Sequence, residues 1–175
     1  MKKLYFARHG ESQANRDKLF AGTWDTPLTK RGREQAESEG EQARKLDIDL
    51  IVCSTLSRAA ETAEIIAAVI DYPEDKIIRS DLLIERNYGN LQQKPYEAAV
   101  GVDFEQVPDI EATKEVLDRG SEAAKFLRSL KAENLLIVGH GTFGRVLRDQ
   151  ILNQVSQIEV PIEEELPNAQ IIRWL

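Results

Sequence analysis

Short apolar runs alternate along this chain with segments in which apolar residues recur every three or four positions. The runs "KLYFA", "IDLIVCS" and "NLLIVGH" contain few polar residues, as buried strands do, and "NAQIIRWL" predicts a final strand. Strands that alternate with helices indicate an α/β fold. We therefore expect a three-layer αβα sandwich, in which helices cover both faces of a largely parallel central sheet.

Four segments show helical spacing of their apolar residues. The first spans 29–46, begins at Thr29 as its expected N-cap, and presents a narrow face of small residues to the sheet. The second follows Ser57, the third spans 116–130, and the fourth follows Gly141. These helices are expected to form the two outer layers.

No repeat, low-complexity tract or linker divides the chain, so residues 1–175 are expected to form a single domain. The least regular part runs from about 87 to 110 and carries two glycines and two prolines, which predicts a surface excursion. Near the end, the acidic stretch "IEVPIEEELPN" predicts a solvated loop or an edge strand.

Composition narrows the classes of function. The formal net charge of -7 gives no general attraction to nucleic acid or to an anionic membrane, so any anion site must be local. The single cysteine, Cys53, lies in an apolar run, so an internal disulfide is impossible and a reducing compartment is expected. The first apolar run is too short for a signal peptide and no later run could span a bilayer, which predicts a soluble cytoplasmic protein.

The candidate chemistry lies where the predicted strands end. The chain has two histidines, and each follows a strand and precedes a glycine: His9 in "ARHG" and His140 in "VGHG". Arg8 adjoins the first histidine, and Arg58 lies in the first turn of the helix after "CSTL". Because parallel strands end at one edge of a sheet, these side chains are expected to meet there. Arginines, helix N-termini and glycines that let a backbone N–H approach an anion together predict a phosphate site.

Two other interpretations of the histidines stay open at this point. A histidine at a strand end is often structural, and the pair could also bind a metal ion with Glu85 or Glu11. A divalent cation would be repelled by the neighbouring arginines, so no metal is expected.

Five motifs, in order along the chain, carry a resemblance to a known family. They are "RHGES" with Asn15 after it, "GTWDTPLTKRGREQA", "CSTLSRAAETA", "ERNYGNL" and "VGHG". Together they resemble the histidine phosphatase superfamily, whose fold is phosphoglycerate mutase-like, and the resemblance runs nearly from end to end.

The resemblance implies a role for each matching residue. His9 would attack the phosphorus of a monoester and form a phosphohistidine. The phosphoryl oxygens would be held by Arg8, Arg58 and His140. Glu85 would protonate the departing alkoxide and then activate water. The implied substrate-binding positions are Ser12, Asn15, Ala21, Gly22, Arg86, Tyr88, Gly141 and Thr142.

These roles set physical requirements. His9 must be largely neutral to act as a nucleophile, and neighbouring cations would lower its pKa. Glu85 must carry a proton near neutral pH, which partial burial or the negative charge of the phosphate would favour.

The same core serves hydrolases and phosphoglycerate mutases. A mutase needs extra cations for a carboxylate-bearing substrate and a segment that excludes water, whereas residues 96–111 contain no basic residue and the chain is shorter than the mutases. The expected function is hydrolysis of a small phosphorylated metabolite or another phosphomonoester, without a cofactor. The alternatives are a phosphoglycerate mutase, which would need a 2,3-bisphosphoglycerate primer, and a non-catalytic phosphate-binding regulatory module.

Two places depart from the family pattern. Ala21 stands where the mutases have a hydroxyl residue, so one contact to substrate is expected to be absent. Gln92 and Gln93 stand where glycine is common, which leaves open the path of the following loop and the role of Lys94 as a ligand.

Overall fold

The computed structural model describes residues 3–155 and 166–175, which contain one five-stranded sheet. Its strands are β1 (Lys3–Arg8), β2 (Leu50–Ser54), β3 (Ile78–Ser80), β4 (Asn134–Gly139) and β5 (Ile171–Arg173). Their order is β3-β2-β4-β1-β5; the first four run parallel, and β5 pairs antiparallel with β1. The carboxyl ends of β1 and β4 therefore lie side by side, with Arg8 opposite Gly139.

The helices of the described residues are α1 (Gln13–Arg16), α2 (Lys30–Ala43), α3 (Ser57–Val69), α4 (Thr113–Ser129) and α5 (Gly141–Leu152). None of them is both long enough and apolar enough to cross a bilayer.

The central strands separate two apolar cores because their side chains alternate between the faces of the sheet. Tyr5 and Ile51 pack on one face with α2 and α3. Phe6 and Val52 pack on the other face with α4 and α5. The predicted three-layer αβα sandwich with a largely parallel sheet is therefore confirmed.

The hydrophobic pattern misses two short elements, β3 and α1. β3 has three residues at the edge of the sheet, and none of them is fully buried, so it has no apolar run to recognise. α1 is a single turn that depends on a cap at Ser12 rather than on an apolar face. A loop or edge strand is expected for the acidic stretch at 158–168. Residues 158–165 of this stretch lie outside the described residues.

The excursion at 87–110 contains three short 3-10 turns, at Gly89–Leu91, Tyr96–Ala99 and Phe104–Gln106. It is tied to the loop at 18–24, where the N–H of Gln93 donates to the carbonyl of Phe20 at 2.8 Å. The ring of Phe20 lies 5.1 Å from the rings of Tyr88 and Tyr96. Gln93 has a φ of +68°, the left-handed region that glycine adopts most easily. A position that carries glycine in the family pattern thus has a backbone conformation that suits glycine.

Candidate active site

The ends of β1 and β4 place the two histidines of the chain next to each other. The backbone N–H of His9 donates to the carbonyl of Gly139 at 2.9 Å, and His140 is the N-cap residue of α5. The imidazole rings lie 5.1 Å apart, edge to face, and both side chains are buried. β2 adjoins β4, so the first turn of α3 brings Arg58 to the same place.

The hydrogen bonds of His9 determine which ring nitrogen carries the proton. Nδ1 lies 2.7 Å from the carbonyl oxygen of Gly10, which can only accept, and Nε2 lies 3.2 Å from Nε of Arg58, which can only donate. Nδ1 therefore carries the proton and Nε2 carries a lone pair. In this neutral tautomer, Nε2 is the nucleophilic atom of the ring.

The surroundings of His9 keep its imidazole neutral. Burial is the main cause that lowers the pKa of His9 well below its ordinary value; the charges of Arg58 and Arg8 follow, and the hydrogen bond to Gly10 acts in the opposite direction. Burial is also the main cause that holds the pKa of His140 well below its ordinary value, with Arg58 next. Both imidazoles are therefore uncharged at neutral pH.

Arg58 is almost completely buried, and its guanidinium is held by the loop that contains Gly22. Nη2 donates to the carbonyl of Gly22 at 2.7 Å, and Nη1 donates to the carbonyl of Trp24 at 3.2 Å. Burial lowers the pKa of Arg58 to about 10, and the negative charges of Glu85 and Asp25 offset part of this effect. At neutral pH the guanidinium therefore remains a cation.

Arg8 ends β1, and its Nη1 donates to the carbonyl of Leu166 at 3.0 Å. Its charge is among the causes that lower the pKa of both histidines, so it acts on the same site. The C-terminal segment also reaches the site at Asn168, whose Nδ2 donates to the carbonyl of His9. This segment thus supports the strand end that carries Arg8 and His9.

Glu85 lies at the N-terminus of α5. Oε1 accepts from the N–H of Phe143 at 2.8 Å and from the N–H of Arg86 at 2.9 Å, and Oε2 accepts from the N–H of Thr142 at 3.1 Å. The carboxylate therefore complements the positive end of the helix. In this structure the N–H of Thr142 therefore serves Glu85, and the implied contact of Thr142 with a phosphate stays a prediction.

The structure explains the glycine at position 10 by backbone packing, whereas the sequence predicts that this glycine lets an N–H group approach an anion. Its N–H donates to Oγ1 of Thr62 at 3.1 Å, so it is used within the protein instead of approaching an anion. A Cβ atom at Gly10 would lie 2.1 Å from the carbonyl oxygen of Gly32 in the first turn of α2. Glycine is needed here because the backbone of α2 packs directly on the strand end.

Ser12 and Asn15 form a capping box at the start of α1. The Ser12 hydroxyl accepts from the N–H of Asn15 at 3.3 Å, and Oδ1 of Asn15 accepts from the N–H of Ser12 at 3.1 Å. Ser12 is completely buried. The cap uses the Ser12 hydroxyl and the Asn15 amide oxygen, so the Asn15 amide nitrogen is the group of this pair that can serve a phosphate.

Tyr88 connects the loop that holds Arg58 with the start of α5. Its hydroxyl lies 2.7 Å from Oγ1 of Thr142, the residue after Gly141. A Cβ atom at Gly22, where φ is +53°, would lie 3.0 Å from the Tyr88 ring. Ala21, beside Gly22, is half-buried and adds no polar side chain.

Arg86 is committed to the excursion. The side chain is 2% exposed, its Nε donates to the carbonyl of Glu111 at 3.0 Å, and its Nη2 lies 3.4 Å from Glu105. The guanidinium also lies over the ring of Phe104, 5.7 Å from the ring centroid. Lys94 is exposed, and its backbone carbonyl accepts from the N–H of Phe20 at 3.0 Å. These contacts give Arg86 a structural role in this structure.

Within residues 3–155 and 166–175, no group of three or more histidine, cysteine, aspartate or glutamate side chains could hold a metal ion. Glu11, considered above as a ligand, accepts from Oγ1 of Thr29 at 2.7 Å and faces α2. Glu85 is engaged with α5. In this part of the chain, neither carboxylate forms a metal site with the histidines.

Sequence reasoning missed three polar side chains that support the site: Ser54, Thr62 and Arg119. Thr62 donates to the carbonyl of Arg58 at 2.7 Å and so joins Gly10 to α3. Ser54 lies 2.8 Å from Nε2 of His140. Arg119 donates to the backbone carbonyls of Leu82, Ile84 and Glu85. Ser54 and Thr62 could have been found from the sequence, because each places a hydroxyl where the pattern of a strand or helix predicts a buried apolar residue.

Comparison with known proteins gives these features a context. A model of the histidine phosphatase superfamily (branch 1) matches residues 4–173. The chain is 35% identical over 151 residues to "Probable phosphoglycerate mutase GpmB" of Citrobacter koseri, which covers 81% of this chain and 70% of that protein. It is 33% identical over 153 residues to "Uncharacterized phosphatase PhoE" of Bacillus subtilis; the aligned part covers 86% of this chain and 78% of that protein. The solved structure of Bacillus stearothermophilus YhfR superposes with a TM-score of 0.82 at 25% identity, over 99% of this chain and 90% of that one.

Proposed function

The chain belongs to the histidine phosphatase superfamily, and we propose that it hydrolyses phosphomonoesters through a phosphohistidine on His9. The observation that carries this proposal is the neutral tautomer of His9, in which Nδ1 is tied to Gly10 and Nε2 keeps its lone pair. Nε2 attacks phosphorus, and the ester P–O bond breaks. Water then attacks the phosphohistidine, inorganic phosphate leaves, and His9 returns to its neutral form.

The cations around His9 support the transfer of a phosphoryl group. Arg58 touches Nε2 directly, and the charge of Arg8 acts on both imidazoles. His140 adds a neutral imidazole beside them. Positioned charges of this kind stabilise the negative charge of a phosphoryl transition state, and they require no metal ion.

Glu85 is the proposed acid and base. It is 8% exposed, and its negative charge raises the pKa of Arg58, so it lies close to the same cations. In the first proposed step the carboxyl group gives a proton to the leaving oxygen. The resulting carboxylate then takes a proton from the attacking water.

Hydrolysis is favoured over isomerisation of a phosphoglycerate because the excursion contains no arginine and Arg86, directly before it, is not available for a substrate carboxylate. Arg86 is committed to Glu111 and Glu105. The excursion instead contributes Tyr88, whose hydroxyl contacts Thr142 at the start of α5 and whose ring packs on Phe20. Relatives of this chain are named for both activities. We propose a substrate such as a small phosphorylated metabolite, or another monoester, whose leaving group carries no carboxylate near the ester.

The test is release of inorganic phosphate from a panel of monoesters by the wild type and by His9→Ala in parallel, with and without a chelator. We expect release by the wild type alone, unaffected by the chelator, and an acid-labile phosphoryl label on His9. Isomerisation of 3-phosphoglycerate in the presence of 2,3-bisphosphoglycerate, without phosphate release, would instead identify a mutase. Phosphate binding with neither reaction would identify a regulatory module.

A further inference from the structure

Ser54, the last residue of β2, contacts the imidazole of His140. Its Oγ lies 2.8 Å from Nε2 of His140, and both side chains are completely buried. The same hydroxyl accepts from the N–H of Leu56 at 3.2 Å, in a local turn that leads into α3. The orientation of the Ser54 side chain is therefore fixed from two sides.

The hydroxyl proton of Ser54 has one acceptor among the contacts of the described residues. The N–H of Leu56 can only donate, so it occupies a lone pair of the hydroxyl and leaves the proton of Ser54 for another partner. Nε2 of His140 is the atom at hydrogen-bonding distance. A buried hydroxyl proton without an acceptor is costly, so the hydroxyl donates and Nε2 accepts.

The opposite tautomer of His140 satisfies fewer polar groups. If Nε2 carried the proton, it would donate to Ser54, the hydroxyl proton would have no acceptor, and Nδ1 would keep an unused lone pair. Nδ1 of His140 has no hydrogen-bond partner within the described part of the chain. With the proton on Nδ1, only that one N–H group remains without a partner.

An N–H group without a partner in this position indicates an anion as the missing acceptor. His140 lies 5.1 Å from His9, ring to ring, and the charges of Arg58 and Arg8 both act on it. A cation cannot accept a hydrogen bond and would be repelled by the arginines. A phosphoryl oxygen can accept from Nδ1 and is attracted by the same arginines.

We infer that Ser54 is a positioning residue whose hydroxyl holds His140 in the Nδ1–H tautomer, so that His140 meets the phosphoryl group as a neutral hydrogen-bond donor. The identity of the anion rests on the proposed function; the tautomer and its cause do not. Loss of the hydroxyl lets His140 exchange tautomers, and only one of them can donate toward the phosphate.

The first test reads the tautomer directly, by two-bond ¹H–¹⁵N NMR of ¹⁵N-histidine-labelled protein. The chain has two histidines, and His9→Gln leaves one imidazole, which assigns the signals. In the wild type at neutral pH we expect Nδ1 of His140 to be protonated and Nε2 to show the signature of an acceptor. A proton on Nε2 would overturn the inference, and this measurement needs no change at Ser54.

The second test compares Ser54→Ala with Thr55→Val, which removes a neighbouring hydroxyl that contacts Asp81 on the surface. We expect Ser54→Ala to lose the single tautomer, to bind inorganic phosphate more weakly, and to lower kcat/KM by about tenfold to a hundredfold. Thr55→Val should match the wild type. An unchanged tautomer in folded Ser54→Ala would overturn the role of Ser54. A wild type with the expected tautomer but no phosphate release would contradict the proposed function and leave this inference standing.

Discussion

Nε of Arg58 lies 3.2 Å from Nε2 of His9, so the guanidinium donates to the same ring nitrogen that would attack phosphorus. In the proposed reaction one side chain therefore does two things: it supplies positive charge for the phosphoryl group, and it disfavours a proton on the nitrogen that attacks phosphorus. The buried position of Arg58, fixed by the carbonyls of Gly22 and Trp24, makes this contact independent of solvent.

Arg58→Met is expected to raise the pKa of His9 toward its ordinary value, because the charge that lowers this pKa most is lost. The rise should be only partial, because burial, the larger cause, remains. Arg58→Lys should raise it less, since a charge is kept. Both variants should lose about 10²- to 10³-fold in kcat, the usual cost of one donor to a transition-state oxyanion. NMR titration of the two imidazoles gives the pKa. Arg33→Met, an exposed arginine paired with Glu61, is the control, and an unchanged His9 titration in Arg58→Met would contradict the argument.

Gly32→Ala is expected to damage the site although Gly32 lies in α2. A Cβ atom there would lie 2.1 Å from the carbonyl oxygen of Glu11, two residues after His9. Alanine normally stabilises a helix relative to glycine by about 1 kcal/mol, whereas here we expect a loss of about 2 kcal/mol or more in the free energy of unfolding, together with a lower kcat. Urea denaturation and phosphate release measure the two effects. Ser38→Ala, at an exposed position of the same helix, should keep both the stability and the kcat of the wild type. Equal behaviour of the two variants would mean that α2 shifts away from Glu11 at little cost in free energy.

Glu39→Gln is expected to change the pH dependence of stability. Glu39 is completely buried on α2, and burial raises its pKa to about 8, although the backbone N–H groups of Ala169 and Gln170 offset part of the effect. Because the unfolded carboxyl group titrates near 4.5, the folded state holds an extra proton between 4.5 and about 8. The free energy of unfolding therefore falls as pH rises through this window, and the loss is complete above about 8.

In Glu39→Gln this decline should disappear, and above pH 8 the variant should be more stable than the wild type by up to about 5 kcal/mol. Urea denaturation at a series of pH values measures the difference. Glu41→Gln, an exposed neighbour on α2, serves as the control and should follow the wild type. Parallel curves for wild type and Glu39→Gln would mean that the buried carboxyl group does not control this pH range.

The main features of the fold and the place of the histidines could be predicted because they follow from local patterns. Apolar runs mark β1, β2 and β4, and parallel strands end at one edge, so His9 and His140 had to be neighbours once both strands joined one sheet. β3 escaped prediction because an edge strand of three residues has no buried run.

The finer geometry could not be predicted because it depends on contacts between distant segments. Gly10 is explained by its distance from Gly32, which no local pattern encodes. The hydroxyl of Ser54 meets His140 only because β2 and β4 are adjacent, and Arg86 is held by residues that follow it by about twenty positions. Motifs thus identify which residues gather, whereas packing decides what each one contacts.

Glu85→Gln is expected to separate the acid role of Glu85 from its role at the start of α5. Glutamine keeps one oxygen, which can accept from the N–H groups of Phe143 and Arg86, but its NH2 group then faces the N–H of Thr142, and it has neither a transferable proton nor a charge beside the helix N-terminus. We therefore expect a loss of about 1 kcal/mol in the free energy of unfolding. Glu64→Gln, a surface glutamate paired with Arg79, is the control for charge removal.

The catalytic consequence of Glu85→Gln should depend on the leaving group. An alkyl phosphate needs a proton on its departing oxygen, so its hydrolysis should slow by about 10²- to 10⁴-fold. p-Nitrophenol leaves without that proton, so phosphoryl transfer from p-nitrophenyl phosphate to His9 should remain fast while the water step slows. Stopped-flow measurement should then show a burst of p-nitrophenolate close to one equivalent of enzyme, followed by a slow steady rate. Equal losses for both substrates, without a burst, would place the proton donor on another residue and leave Glu85 with its structural role alone.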